Sequence, residues 1–100
     1  SMINFVENNY MYPISVKDIC NELKVSQSYL YRCSMAILNI SPNNYILYFK
    51  MAKADRLLKI KDLSIEEIAE MTGYENIYHF SNTFKKHFGI SPSSYRKQSY

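Results

Sequence analysis

Glycine, proline and tryptophan are scarce in this sequence of 100 residues, which has two Gly, three Pro and no Trp. Because Gly and Pro form most tight turns, such low numbers disfavour a β-sandwich or a β-barrel. Hydrophobic residues nevertheless make up 47% of the chain, which is enough for the core of one domain. The composition therefore predicts one all-α domain.

Cysteines and long apolar runs are also scarce. Cys20 and Cys33 are too few for a disulfide framework, and they lack partners in a metal-ligand pattern. No apolar run approaches the ~18 residues of a membrane span, and no basic-then-apolar leader is present. We therefore expect a cytoplasmic protein that does not contact a membrane. Ser1 before Met2 is typical of a residue left by a purification tag, so we also expect a piece of a longer protein.

Residues that could form an active site are present, but not in catalytic patterns. His79 and His87 lack a nearby Cys or carboxylate in a ligand pattern, and there is no Gly-rich phosphate loop. Glu66, Glu67 and Glu70 share the outward face of a predicted helix, where no pocket would raise a carboxyl pKa. The sequence therefore predicts that the protein is not an enzyme and has neither a metal nor a cofactor.

A helix-turn-helix is predicted at about residues 64–88. Ser64 and Glu67 form the start signal of its first helix, and Gly73 breaks that helix. A second helix begins near Asn76, and Gly89 ends it where a left-handed residue is commonly needed. The buried face of this second helix is expected to contain Ile77, Phe80, Thr83, Phe84, His87 and Phe88. In such a motif the second helix presents its outer face to the DNA major groove.

The same region resembles the C-terminal signature of the AraC/XylS family of bacterial transcription regulators. The matching positions are Ser64-Ile65, Ile68-Ala69, Gly73-Tyr74, Phe80, Phe84-Lys85-Lys86, Phe88-Gly89, Ser91-Pro92 and Tyr95-Arg96. The resemblance implies sequence-specific binding of double-stranded promoter DNA. It also implies contact with RNA polymerase, and an N-terminal sensing or receiver domain in the intact protein.

An internal repeat predicts another helix-turn-helix at about residues 15–38. Corresponding pairs include Ile19 and Ile68, Leu30 and Phe80, Leu38 and Phe88, and Tyr45 and Tyr95. An opening helix is expected at about residues 2–9, a linker helix at about 42–61 and a terminal helix at about 92–98. The predicted fold is all-α with about seven helices, in which a long central helix joins two helix-turn-helix units.

The linker helix has a length that suits DNA. At 1.5 Å per residue it would span about 28 Å, and B-DNA presents the same groove to one side about every 34 Å. The two units could therefore enter successive major-groove segments. Because their sequences differ, we expect an asymmetric bipartite site rather than a palindrome.

The outward residues of the second helix in each unit are the predicted base contacts. They are Ser28, Tyr31 and Arg32 in the first unit, and Ile77, Tyr78, Ser81 and Asn82 in the second. An arginine can bond two acceptors of guanine, an asparagine can pair with adenine, and an apolar side chain can touch the thymine methyl. Two other roles stay open at this point: Arg32 in a surface ion pair, and Ile77 in a contact with the turn.

Predicted phosphate contacts lie near helix ends. Lys85, Lys86 and Arg96 would hold phosphates without reading sequence, and their alternative role is solubility alone. The backbone amides at Ser15 and Ser64 begin helices with a positive end, so phosphates could bind there too.

Three residues depart from the pattern of the family. Ser34 stands where the first copy usually has Phe, Asn39 where it usually has Gly, and Asn82 where the second copy commonly has Arg. Asn enters the left-handed region readily, so Asn39 is tolerable. The loss of an aromatic at Ser34 is larger, and we expect Tyr29, Tyr31 or Tyr48 to compensate.

A second function stays open from the sequence: a helical protein-interaction module that docks on RNA polymerase or on a sensor domain. The net charge of +3 permits DNA binding but does not require it. A basic band along both outward helices would favour DNA, whereas an apolar patch there would favour a protein partner.

Overall fold

The computed structural model describes the backbone of residues 1–99 and the side chains of residues 1–98. Over this range it contains seven α-helices and no strand. The helices are α1 (Met2–Asn9), α2 (Val16–Leu23), α3 (Gln27–Leu38), α4 (Pro42–Leu58), α5 (Ile65–Met71), α6 (Ile77–Phe88) and α7 (Pro92–Ser99). The predicted all-α class, with about seven helices, is confirmed.

Short polar side chains begin the helices. The side chains of Ser15, Ser26, Ser41 and Ser64 each accept a hydrogen bond from the backbone amide three residues later. Asn76 does the same for α6, with a distance of 2.8 Å between its Oδ1 and the His79 amide. These bonds satisfy amides that have no partner within the helix, so the local sequence defines where each helix starts.

Left-handed residues end three of the helices. Asn39 has φ 58° and Gly89 has φ 89°, as expected at these positions, and Lys24 ends α2 with φ 57°. The left-handed Lys24 is not signalled by its residue type, because a Cβ disfavours this conformation. In the internal repeat, Lys24 corresponds to Gly73, which is also left-handed at φ 81°.

Two hydrophobic cores share the long helix α4. The N-terminal core contains Met2, Val6, Ile19, Cys20, Leu30 and Ile46. The C-terminal core contains Met51, Ala54, Leu58, Ile68, Ala69, Phe80 and Phe84. Because α4 places Ile46 in one core and Met51, Ala54 and Leu58 in the other, it holds each unit against a common support.

The two units also meet at a buried lysine. Lys50 of α4 is only 5% exposed, and its Nζ donates to the Tyr12 carbonyl at 2.9 Å. The same Nζ lies 5.3 Å from the centre of the Tyr74 ring. A Cβ at Gly73 would collide with the Tyr12 carbonyl and lie 2.6 Å from this Nζ. The loop after α1, the helix α4 and the turn of the second unit are therefore in close contact here.

Several apolar side chains, which helical spacing alone would place on an inner face, are exposed. Ile37 is 78% exposed, Ile3 40% and Met71 41%. Ile3 and Ile37 border an open cavity between α1 and α3, so no element covers them. His87, expected to be half-buried, is exposed, although its ring contacts those of Tyr48 and Phe88.

The expected compensation at Ser34 does not occur. Tyr29 and Tyr31 are each 51% exposed and Tyr48 is 49% exposed, so none of them fills the place of the missing aromatic. Ser34 is itself buried, and its hydroxyl donates to the Ile40 carbonyl at 2.5 Å. The polar side chain is thus satisfied locally, and no aromatic ring replaces the lost one.

Candidate nucleic-acid interface

Buried aromatic side chains on the inner face of α6 set the orientation of this helix in the second unit. Phe80 and Phe84 are fully buried, and Phe84 contacts the rings of Phe88 at 4.4 Å and Tyr95 at 5.3 Å. The opposite side of α6 therefore points outward. On this outer side, Tyr78, Asn82, Lys85 and Lys86 are exposed and Ser81 is half-buried.

Ile77 has a different environment from its neighbours on α6. It is half-buried and borders a cleft with Ala69 and Glu70 of α5 and with Gly73 of the turn. The sequence left two roles open for Ile77, a base contact and a contact with the turn. Its environment in the structure resembles the contact with the turn. The predicted contact with a thymine methyl is consequently limited to the part of the side chain that stays exposed.

The first unit presents its predicted base contacts in a similar way. Leu30 and Ser34 turn inward on α3, whereas Ser28, Tyr31 and Arg32 are exposed. The N-terminal half of α3 is the part that would approach base edges in a helix-turn-helix. All three predicted residues lie on that half.

The two outward helices flank one continuous surface. Tyr31 of α3 borders a cleft that also includes Asn44 and Tyr48 of α4. Asn44 and Tyr48 border a second cleft with Lys86 and His87 of α6, and the Tyr48 and His87 rings lie 5.1 Å apart. Sequence patterns did not predict this role for Asn44 and Tyr48, because it depends on which side of α4 the two units pack.

The charged residues of α3 and α6 are all positive. Neither α3 nor α6 contains Asp or Glu, and their charged residues at neutral pH are Arg32, Lys85 and Lys86. Among the side chains of residues 1–98, these three form no ion pair and no hydrogen bond. The alternative of a surface ion pair for Arg32 is therefore not observed, and all three cations are available to an anion.

Arg96, a predicted phosphate contact, also makes hydrogen bonds within the domain. Its Nε donates to the Leu58 carbonyl at 2.9 Å, and its Nη2 donates to the Ile60 carbonyl at 3.2 Å. The guanidinium thus satisfies the Leu58 carbonyl at the C-terminal end of α4, and it adds a bond to the Ile60 carbonyl, which also accepts from the Leu63 amide. These contacts use two of its N–H donors, and because an arginine has five, a phosphate contact by Arg96 stays a prediction.

The backbone amides of Ser15 and Ser64 are also occupied. The Ser15 amide donates to the Asp18 carboxylate at 2.8 Å, and the Ser64 amide donates to Glu67 at 3.0 Å. Hydrogen bonds from Ser64 lower the pKa of Glu67, so this carboxylate is ionised at neutral pH. A phosphate at either amide would have to displace a carboxylate of like charge, which disfavours both predicted contacts.

Other kinds of site receive no support from the described residues. In the part of the chain that the structure covers, no group of three or more His, Cys, Asp or Glu could hold a metal ion. Over the same part, no helix is long and apolar enough to cross a membrane.

Comparison with known proteins indicates the type of domain. A sequence model of the helix-turn-helix domain matches residues 19–98. The raffinose operon transcriptional regulatory protein of Pediococcus pentosaceus is 34% identical over 95 residues, which are 95% of this chain and 34% of that protein. The Msm operon regulatory protein of Streptococcus mutans is 38% identical over 93 residues, which are 93% of this chain and 34% of that protein. The chain therefore spans about a third of the length of these curated relatives.

A solved structure has the same fold. The C-terminal domain of AraT, a response regulator from Geobacillus stearothermophilus, is similar to this chain with a TM-score of 0.92 and 33% sequence identity. The similarity covers 97% of this chain and 81% of that one. The likeness therefore extends over both helix-turn-helix units and the helix between them.

Proposed function

This chain belongs to the AraC/XylS family, as the DNA-binding domain of a transcription regulator, and we propose that it reads an asymmetric, bipartite site in double-stranded DNA. The relatives are transcription regulators rather than enzymes. The observation that carries the proposal is the pair of outward helices α3 and α6, whose cations Arg32, Lys85 and Lys86 form no ion pair or side-chain hydrogen bond in the described part of the chain. Unpaired cations on an outward helix are the groups that bind DNA phosphates and guanine edges.

The dimensions of the domain support a site in two successive major-groove segments. The central helix α4 has 17 residues, so it is about 26 Å long, and the longest dimension of the domain is 41 Å. Successive major-groove segments on one side of B-DNA are about 34 Å apart. A domain of this length can therefore place one outward helix in each of them.

Base edges are assigned to the exposed residues of α3 and α6. Tyr31, Arg32 and Asn82 are the principal readers, because a tyrosine, a guanidinium and a carboxamide can each bond base edges. The neighbouring assignments are Ser28, Tyr78, Ser81 and the exposed part of Ile77. Phosphates are assigned to Lys85 and Lys86, which lie in the last turn of α6.

The asymmetry of the site follows from the pairs of residues that the internal repeat aligns. Arg32 of the first unit corresponds to Asn82 of the second, and Met35 corresponds to Lys85. Arginine suits guanine and asparagine suits adenine, so the two half-sites should differ in sequence. The outward helix α6 has two lysines and α3 has none, so α6 should supply more of the phosphate contacts.

A selection from random duplex DNA would test this function. The domain is mixed with a random pool at several salt concentrations, and the retained DNA is sequenced. We expect a motif with two different halves about one helical turn apart, and an affinity that falls steeply as salt rises. Retention of no DNA at low salt would contradict the proposal.

The order of the two halves gives a sharper test. Duplexes with the selected halves in native and in exchanged order have identical composition, so general electrostatic attraction is the same for both. We expect weaker binding to the exchanged order, because each outward helix then meets the wrong bases. Equal affinity for both orders would count against an asymmetric site.

The remaining partners are proposed for the intact protein. Because the chain spans only about a third of its relatives, we propose that an N-terminal sensing or receiver domain precedes it in the whole regulator. The neighbour AraT is itself a response regulator in which the matching part is the C-terminal domain. Contact with RNA polymerase is a proposal of the same kind. The alternative of a purely protein-binding module is not favoured, because the surface between α3 and α6 carries unpaired cations.

A further inference from the structure

An apolar cavity lies in the first unit, between α1 and α3. It has a volume of about 240 Å³ and opens to solvent on one side. Its wall includes Met2, Leu30, Cys33, Ile37 and Leu38, and none of its side chains comes from Asp, Glu, Lys, Arg or His. The cavity shares Leu38 with the cleft beside Tyr31, but none of the proposed DNA contacts is among its lining residues.

The internal repeat shows what normally occupies this place. Ser34, which lines the cavity, corresponds to Phe84 of the second unit. Phe84 is fully buried and contacts the rings of Phe80 and Phe88. Their counterparts in the first unit are Leu30 and Leu38, and both line the cavity. The first unit therefore has a space where the second has an aromatic ring.

Water is a poor occupant of this space. The polar side chains of its wall already have partners: Ser34 donates to the Ile40 carbonyl, Ser1 accepts from the Asn4 amide, and Tyr29 and Cys33 are hydrogen-bonded to each other. A water held against the wall needs two or more polar partners, and enclosed apolar cavities of ~150 Å³ that lack such partners stay dry and bind benzene. Atoms that line an empty space also lose dispersion contacts. An apolar ring that entered the cavity would restore these contacts, as Phe84 provides them in the second unit.

We propose that this cavity is a binding site for a small, uncharged molecule with an aromatic ring, of at most two fused rings. Charged molecules are disfavoured because no charged side chain lines the wall, and the one charged group of a lining residue is the α-amino group of Ser1. The helix α3 lines the cavity and also carries Tyr31 and Arg32 on its outer face. A bound ring would therefore stabilise the element that contains the proposed base contacts of the first unit.

Thermal unfolding of the domain with benzene as the probe tests this proposal. Benzene at a concentration well above its Kd should raise the Tm of the wild type by about 4 °C or more. The variant S34F places a ring in the cavity from within the chain. We expect S34F to show little or no benzene-dependent shift.

A second pair of variants keeps the test valid if S34F does not fold. I37K places a charge at the open side of the cavity, where Ile37 is already 78% exposed, so folding should be unaffected. I60K is the matched control, because Ile60 is 50% exposed and lies outside the cavity. The benzene shift should fall by at least half in I37K and stay at the wild-type value in I60K. No shift in the wild type, or equal shifts in the wild type and I37K, would overturn the proposal.

Discussion

At the scale of single residues, the buried lysine of the central helix has the largest electrostatic consequence. Among residues with described side chains, Lys50 is the one charged residue in the buried interior. Burial lowers its pKa from 10.5 to about 8, because an ammonium loses most of its hydration there. The hydrogen bond to Tyr12 and the nearby Tyr74 ring offset only part of this loss.

This pKa predicts that the domain becomes more stable as the pH rises above 8. Between pH 8 and 10.5 the unfolded chain keeps the Lys50 proton and the folded chain releases it, so the free energy of unfolding rises with pH. We expect a slope of about 1 kcal/mol per pH unit from pH 8 to 9.5. Urea unfolding at several pH values measures it. The variant K50M should lose this slope, and an equal slope in K50M would refute the assignment.

Exposed residues of the outward helices predict two different kinds of defect in DNA binding. R32A should cost about 1–3 kcal/mol at the selected site and relax the preference at one base position. K85A should weaken binding to all sequences alike, and lower the slope of log affinity against log salt by about 1. Titrations at four salt concentrations on the selected site and on a scrambled duplex separate the two. A uniform loss for R32A would show that it contacts phosphate instead.

At the scale of elements, the turn of the second helix-turn-helix is the most constrained connection. Gly73 has φ 81°, which disfavours any side chain, and its Cα faces the Tyr12 carbonyl and Lys50 Nζ. Gly89, which ends α6, has φ 89°, but a Cβ there would meet nothing within 4 Å. Both glycines therefore need a positive φ, but only Gly73 lacks room for a Cβ atom.

This difference predicts unequal costs for the same substitution. G89A should lower the free energy of unfolding by about 1–2 kcal/mol, which is the cost of a left-handed alanine. G73A should cost more than about 3 kcal/mol, because the loop after α1 or Lys50 must also move. Urea unfolding of both variants measures the difference. Equal losses of unfolding free energy would mean that the Tyr12 carbonyl and Lys50 move away from the new Cβ at no energetic cost.

At the scale of the whole molecule, α4 determines how the two units are related. One helix contributes to both cores, and the Lys50 contact joins the first loop to the turn of the second unit. Asn44 and Tyr48 of the same helix lie between α3 and α6. The spacing of the two outward helices should therefore be rigid.

A rigid spacing predicts a strict requirement for the distance between half-sites. Insertion of 5 base pairs turns the second half-site to the opposite side of the duplex, and insertion of 10 moves it about 34 Å further away. We expect both insertions to reduce the affinity to that of a duplex with one half-site. Competition titrations measure this with the original site, the two insertion duplexes and the duplex with one half-site. Recovery of affinity at 10 base pairs would indicate a flexible connection between the units.

The helices and their type were determined by the sequence alone, because the signals are local. A serine that caps a helix, an apolar spacing of three or four residues and a glycine or asparagine at a helix end act within a few positions of each other. The internal repeat and the family resemblance come from the same local patterns. The outward positions of Tyr31, Arg32 and Asn82 also follow from helical spacing.

Tertiary packing decided the contacts that local patterns cannot specify. Arg96 bonds the end of α4, 38 residues earlier in the chain, and its basic character alone could not distinguish this role from a phosphate contact. The exposure of Ile37 and the cavity at Ser34 depend on how α1 packs against α3. Asn44 and Tyr48 join the interface only because both units pack against one helix. The physical reason is that these partners are brought together by the packing of distant elements, which the spacing of residues within one helix does not encode.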